Sequence, residues 1–366
     1  MFRVGEFYEL FFDDALTASR ELEIVLTGRN CGLEERAPMC GVPYHSASSY
    51  IDRLVAKGYK VAVCEQLEDP KLAKGLVDRG IVRIITPGTL TDTAALDEKA
   101  NNYIMALAEG PGGTLGFAVA DVSTGEFSIG ELEAKKRLQK LSEELARVVP
   151  TELIVADGLK DPALLRTLQG KAYLSRYPDW AFEPETAKKN LLSHFHLKDL
   201  TGYGCEDMEA AVCAAGGLLA YLNETQKNAL EHISSIRVYH RSSYMMLDET
   251  TRRNLELTQS LREGKQSKKS TLLGLLDRTK TAMGGRLLRS WIAQPLIDKA
   301  AIERRLSCVK ALSGNVILRG ELSAELDQIY DLERICSKIA YGSLNARDAL
   351  SLKNSLAALP ALCQSL

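Results

Sequence analysis

A change of hydrophobic period near residue 245 restricts this chain more than any other feature. Before it, short β-branched runs alternate with helix-like stretches. After it, leucine and isoleucine recur almost wholly at spacings of three and four, in "LDETTRRNLELTQSL", "STLLGLLDRT", "GGRLLRSWIAQPL", "DKAAIERRLSCVKAL" and "DLERICSKIA". Strand faces repeat every two residues and helix faces every 3.6, so one packed layer cannot serve both halves. The expected fold is multidomain: α+β and α/β N-terminal domains followed by an all-α helical domain. At 366 residues the chain is long for one core, and three units are read, 1–90, 91–235 and 236–366.

In the first unit "MFRV" and "FYELFF" flank Gly5-Glu6, a two-residue connection with glycine first that suits a type II′ hairpin. Asp13 or Asp14 can cap a helix through about Glu23. "EIVLTGR" and "APMCGVP" read as short strands or extended loops, and "SASSYIDRLVAKG" as a helix ended by Gly58. "YKVAVCEQ" and "GIVRIITPGTL" complete a mixed α/β domain. Beyond the linker-like "TDTAALDEKANN", the segment "YIMALAEGPGGTLGFAVADVSTGEFSIGEL" alternates strands with Gly/Pro turns, an antiparallel meander. A helix, the β-branched "TELIVAD" and further helices close the second unit. The final helix, "ARDALSLKNSLAALPALCQSL", is expected to be interrupted at Pro360. A chain that opens inside a strand pattern and closes inside a helix pattern reads as an excised piece.

The overall charge of −2 is unevenly spread. Residues 1–90 hold 11 Lys and Arg against 13 Asp and Glu, residues 91–235 hold 14 against 22, and residues 236–366 hold 21 against 13. Only the last third has the basic excess expected of a polyanion-binding surface, and a solvated helical surface with spare lysines fits it equally. No run of eighteen apolar residues suggests a membrane span, and no charged n-region precedes an apolar h-region at the start. Eight scattered cysteines without a CxxC pair read as reduced thiols in a cytoplasm-like compartment.

Catalytic signatures are weak. "LREGKQSKKS" contains Gly264-Lys265, but Gln266 replaces Ser or Thr and no glycine precedes at the spacing of a phosphate-cradling loop. His194 and His196, near Asp199 and Cys205, lack the firm third and fourth positions that zinc requires. Asp121 at the end of a strand has no carboxylate partners for two-metal hydrolysis. The stretch "FRVGEFYELFFDDA" is different. Phe7 and Glu9 share one strand face and Tyr8 takes the other, so Phe7 and Glu9 either belong to an ordinary half-buried strand or face a ligand.

Longer motifs decide how that stretch is read. "GEFYELFFDDA", "PMCGVPYHSASSYIDRLVAKGYKVAVCEQLEDP", "VRIITPGTL", "LDETTRRNLELTQSL" and "LLDRTKTAMGGRLLRSWIAQPL" together resemble the MutS family of DNA mismatch-recognition ATPases. The resemblance implies a mismatch-recognition domain, an RNase H-like connector without a nuclease site, and the first part of a helical core or lever domain. The family's clamp, ATPase domain and glycine loop have no counterpart in the sequence, nor has its segment before "FRVGEFYE". It thus implies no catalytic residue, metal site or cofactor here, ATP and magnesium belonging to the full-length family.

The resemblance makes Phe7 the wedge that enters the minor groove at a mispair. Insertion unstacks a base step and kinks the duplex, which costs less where stacking is already weak. A purine N7 only accepts hydrogen bonds, so Glu9 is expected to be protonated facing N7 and ionised facing a donor such as a thymine N–H. Against paired DNA the acid is a repulsive element. Arg29, Met39, Pro43, His45 and Arg79 lie where the family touches DNA near the mismatch. Equally, Pro43 and Met39 can shape a turn and the arginines can pair with local acids. The implied partners are double-stranded DNA containing mismatches or small loops and a MutL-like protein at the connector. The resemblance implies a homodimer for the full-length family and a nucleoid-associated place in the cytoplasm, and it leaves the oligomeric state of this stretch open, a monomer being one alternative. With −2 over residues 1–90, DNA binding is expected to be weak and salt-sensitive.

Overall fold

Gly5 takes φ +58° while Glu6 keeps a negative φ, the sign pattern of the expected type II′ turn. In this computed structural model, which describes residues 1–32, 35–68, 77–92, 96–227, 230–261 and 267–365, that turn joins β1 (Phe2–Val4) to β2 (Phe7–Phe11). The chain continues through α1 (Phe12–Leu22), β3 (Thr27–Arg29), β4 (Ala37–Pro43), α2 (Ala47–Ala56), β5 (Val61–Gln66) and β6 (Arg79–Ile85). These strands form one sheet in the order β3-β4-β2-β1-β5-β6.

Both helices cover the same side of that sheet. Ala15, Ala18 and Leu22 of α1 and Ile51, Leu54 and Val55 of α2 pack with Leu10, Cys40, Val42, Val61 and Val63. Asp13 and Asp14 do not cap α1 as expected. They lie inside its first turn, Phe11 holds the cap position, and the carboxylates face the helix's partial positive charge instead. "EIVLTGR" supplies only the three strand residues of β3.

The second sheet is covered on both sides. Its elements are β7 (Tyr103–Glu109), β8 (Leu115–Asp121), β9 (Glu126–Leu132), α3 (Arg137–Val148), β10 (Glu152–Ala156), α4 (Pro162–Leu168), β11 (Tyr173–Tyr177), α5 (Pro184–His194), α6 (Glu209–Gln226) and β12 (Arg237–Val238). The order is β11-β10-β7-β8-β9-β12, with β7, β8 and β9 the antiparallel meander and β10 and β11 parallel to β7. Alternate residues serve two cores: Ile104, Ala106, Ala118 and Ile129 meet α5 and α6, while Met105, Leu107, Phe117 and Val119 meet α3 and α4. Strands buried on both faces become continuous apolar runs, as in "YIMALA" and "GFAVA". β12 pairs with β9, so the sheet reaches into the stretch read as helical.

From Glu249 onward the described elements are helices, apart from a bridge between Leu296 and Tyr244: α7 (Glu249–Asn254), α8 (Leu272–Leu276), α9 (Ala282–Ala293), α10 (Lys299–Gly314), α11 (Val316–Leu326), α12 (Leu332–Ala340) and α13 (Ala346–Ser365). Thr281, Asp298, Asn315 and Asp331 cap α9 to α12 through side-chain oxygens that accept backbone N–H groups. Pro360 does not interrupt α13, which runs through it. A proline that close to a helix end removes one late backbone bond, and the helix continues around the loss. The Gly264-Lys265-Gln266 connection lies outside the described residues.

Candidate nucleic-acid interface

Because α1 and α2 occupy one side of the first sheet, the opposite side carries whatever the strand period sends there. Phe7, Glu9 and Phe11 project onto it from β2, and Phe2 and Val4 from β1, since Phe2 pairs with Glu9 and Val4 with Phe7. On the other flank Phe7 pairs with Pro43, Glu9 with Gly41 and Phe11 with Met39. The Phe7 ring stands at the turn and is 48% exposed. Tyr8 points the opposite way, against the α1/α2 core, where its hydroxyl donates to Glu65. Burial first, then the Glu65 hydrogen bond, pushes the Tyr8 hydroxyl up to about 12.

Glu9 has a cationic partner. Arg29 Nη1 donates to its Oε2 at 2.6 Å, so this arginine pairs with a local acid. Glu9 is held at 16% side-chain exposure while Arg29 stays at 48%. At Gly41, beside the acid, an added Cβ would stand 3.2 Å from the Tyr8 carbonyl oxygen and 3.6 Å from Glu9 Cγ. Glycine keeps that lane clear.

Arg79 opens β6 and pairs with Gln66, at the far edge of the same sheet. Its Nε donates to the Arg3 carbonyl at 3.1 Å and its Nη1 to the Val77 carbonyl at 3.1 Å. Three strand spacings, about 14 Å, separate it from β2. His45 lies in the short 3-10 turn after β4, exposed, its ring edge-on to Tyr44 at 5.9 Å. That turn sits against the hairpin, for Tyr44 N donates to the Glu6 carbonyl at 3.0 Å. The fold therefore gathers Phe7, Glu9, Arg29, Met39 and Pro43 on adjacent strands and leaves His45 and Arg79 on the margins.

Several residues around the hairpin escaped sequence reasoning, Phe2 and Phe11 on this face and Arg3 on the opposite one, where it pairs with Tyr8. Phe2 is 43% exposed and its ring lies 6.1 Å from that of Phe11. Arg3 sets its guanidinium 3.7 Å above the exposed Tyr44 ring, a cation–π contact at the hairpin end. Extending the two-residue period from Phe7 and Glu9 would have reached Phe11. Phe2 needed the hairpin register and Arg3 the path of β4.

Elsewhere, polar groups of catalytic or metal-binding type are engaged in local structure. Asp121 is buried and accepts from Asn101 Nδ2, Asn102 N, and the Ser123 N and Oγ. His194 contacts the Ile233 carbonyl, Asp199 accepts from Thr201 N, and the buried Cys205 thiol faces the Leu200 carbonyl. Among the described residues no group of three or more His, Cys, Asp or Glu could hold a metal ion. Among the same residues no helix is long and apolar enough to cross a membrane.

Three family models match in order along the chain: MutS domain I over residues 1–94, MutS domain II over 102–234 and MutS domain III over 250–366. The DNA mismatch repair protein MutS of Alkaliphilus metalliredigens is 50% identical over 369 residues, covering 100% of this chain and 42% of that protein. Its counterpart in Alkaliphilus oremlandii is 49% identical over 364 residues, covering 98% of this chain and 41% of that protein. That of Symbiobacterium thermophilum is 48% identical over 364 residues, with 99% and 41% covered. The chain thus spans about two fifths of the length of the curated relatives it matches.

Proposed function

The chain belongs to the MutS family, and from that premise we propose that it acts in DNA mismatch repair by probing double-stranded DNA for mispairs or small loops. Phe7 is the wedge: it enters the minor groove, stacks on one base and kinks the duplex, and Glu9 meets a base edge beside it. The observation that carries this reading is the exposed Phe7 ring at the tip of a two-residue hairpin, on the sheet face that α1 and α2 leave open. A wedge must stand clear of its own core, and Phe7 does, whereas Tyr8 is held within. Met39 and Pro43 border the wedge, and Arg29, Arg79 and His45 contact the backbone or groove.

Selectivity on this reading arises from deformability. Unstacking a step costs a few kcal/mol in paired DNA and less at a mispair, so one ring serves many mismatches. We assign no catalytic step to these residues and place ATP and magnesium chemistry in the length of the relatives that the chain does not span. The site of action is the nucleoid in the cytoplasm. Binding of a G·T heteroduplex and its matched homoduplex at low salt, with Phe7→Ala as control, tests the proposal. Equal affinity of the parent for both duplexes would overturn it.

A second reading concerns the middle unit, whose 22 acidic side chains exceed its 14 basic ones. Such a surface repels DNA and suits a protein partner, and we infer that it docks a MutL-like protein. Chemical crosslinking to a purified MutL-like partner, with loss of the crosslink after charge reversal on the connector surface, checks this.

A further inference from the structure

Glu9 and Arg29 meet although a whole strand lies between them. Arg29 ends β3, the edge strand, and pairs with Ala37 of β4, whereas Glu9 pairs with Gly41 four positions further along. The arginine therefore crosses β4 diagonally to place Nη1 2.6 Å from Glu9 Oε2. Gly41, opposite Glu9, presents no side chain beside the Glu9 stem. The two ends are held unequally. Glu9 sits in the middle of the sheet at 16% side-chain exposure, and Arg29 swings from the edge at 48%. Among the described residues Arg29 makes no other side-chain hydrogen bond.

We propose that Arg29 exchanges partners: it holds Glu9 in the free protein and moves to a DNA phosphate when a duplex meets this face, releasing the acid to a base edge. The inference rests on the reading of Phe7 and Glu9 as the mismatch probe. An ion pair this exposed is weak, so little opposes its opening. A phosphate accepts paired, charge-assisted hydrogen bonds from the guanidinium, and an arginine fork donates them better than a lysine does. In the free protein the pair also cancels the carboxylate that would otherwise repel an approaching backbone. Glu9 thus becomes available only where the backbone is already gripped, which ties interrogation of the base to contact with the strand.

The test is a binding cycle, read by fluorescence anisotropy at several low salt concentrations on a G·T heteroduplex and its homoduplex. It compares the parent, Glu9→Gln, Arg29→Ala, the double variant and Phe7→Ala. If the pair opens on binding, the factor by which Glu9→Gln changes heteroduplex affinity differs about two- to five-fold between the parent and the Arg29→Ala background, the span of an exposed ion pair. Arg29→Ala also lowers the salt slope by about one phosphate contact, and Arg29→Lys, which keeps the charge, restores it. An equal Glu9→Gln factor in both backgrounds, or an unchanged slope in Arg29→Ala, overturns the exchange. Phe7→Ala separates the two failures. Loss of heteroduplex preference in that variant leaves the probe standing when the exchange fails, and its retention removes the probe itself.

Discussion

The Tyr221 hydroxyl donates to the Glu152 carboxylate at 2.6 Å, beneath the point where the first sheet passes the chain to the second. Glu152 is fully buried and also accepts from Thr86 Oγ1, from Gly88 N at 3.0 Å and from Ser175 Oγ at 2.6 Å. Burial first, and the Glu152 charge second, push the Tyr221 hydroxyl's pKa up, which keeps it a donor. Glu152→Ala would strand four donors, each costly to leave unpaired, so a loss of about 3 kcal/mol is expected. Urea unfolding reads the loss. Hydrogen exchange of residues 84–90 should quicken before that of the β8–β9 meander, and an unchanged profile would show that water satisfies the donors.

Phe7→Ala should separate recognition from stability. The ring is half exposed and outside the α1/α2 core, so unfolding should shift by no more than about 0.5 kcal/mol. Stacking of an aromatic on a base is worth about 1–3 kcal/mol, so heteroduplex affinity should fall about tenfold or more. Homoduplex affinity, which depends on phosphates, should change little. Anisotropy titrations beside a urea melt give both numbers, and a marked loss of stability would place the ring in the core.

The order of sheets and helices could be read from the chain because periods of two and 3.6 are local properties. The same rule put Phe7 and Glu9 on one face and Tyr8 on the other, and the chain folds so. What could not be read depends on which distant segments become neighbours. Glu152 in "TELIVAD" resembles any strand residue until β10 is set between β7 and β11, where Thr86, Ser175 and Tyr221 converge on it. Arg29 acquires Glu9 only because β4 inserts between their strands. At Pro360 the local rule overreached, since a long helix tolerates one missing bond near its end.

Asp52 gives a pH test in the first unit. Burial first, then the nearby Asp92 charge, raises its carboxyl to about 6 from 3.8, with Arg83 pulling the other way. A carboxyl whose pKa is higher folded than unfolded binds its proton more tightly in the native state. Its contribution is therefore full below pH about 4 and is lost as pH rises to about 6. Asp52→Asn should raise stability at pH 7 by about 1 kcal/mol, after allowance for partial solvent screening, and change nothing near pH 3.5. Urea midpoints at the two pH values decide, and a gain of equal size at both would sink the assignment.

Arg286 locks the helical unit to the linker that follows the first sheet. Its side chain, 4% exposed, grips both Asp331 oxygens at 2.7 and 2.8 Å, reaches Glu333 at 2.6 Å and donates to the Glu98 carbonyl at 2.9 Å. Asp331 meanwhile caps α12 through the Arg334 N–H, so one carboxylate serves both the cap and the arginine. Removing one partner of a buried pair leaves the other charge without compensation, and Arg286→Ala should cost about 3 kcal/mol. Arg286→Lys keeps the charge but not the fork that spans both oxygens, so about half that loss is expected. Because the pair is shielded, 0.5 M salt should alter the difference between parent and variant very little, unlike at an exposed bridge. A strongly salt-dependent difference would mean that Arg286 stands in water and that the linker is held by something else.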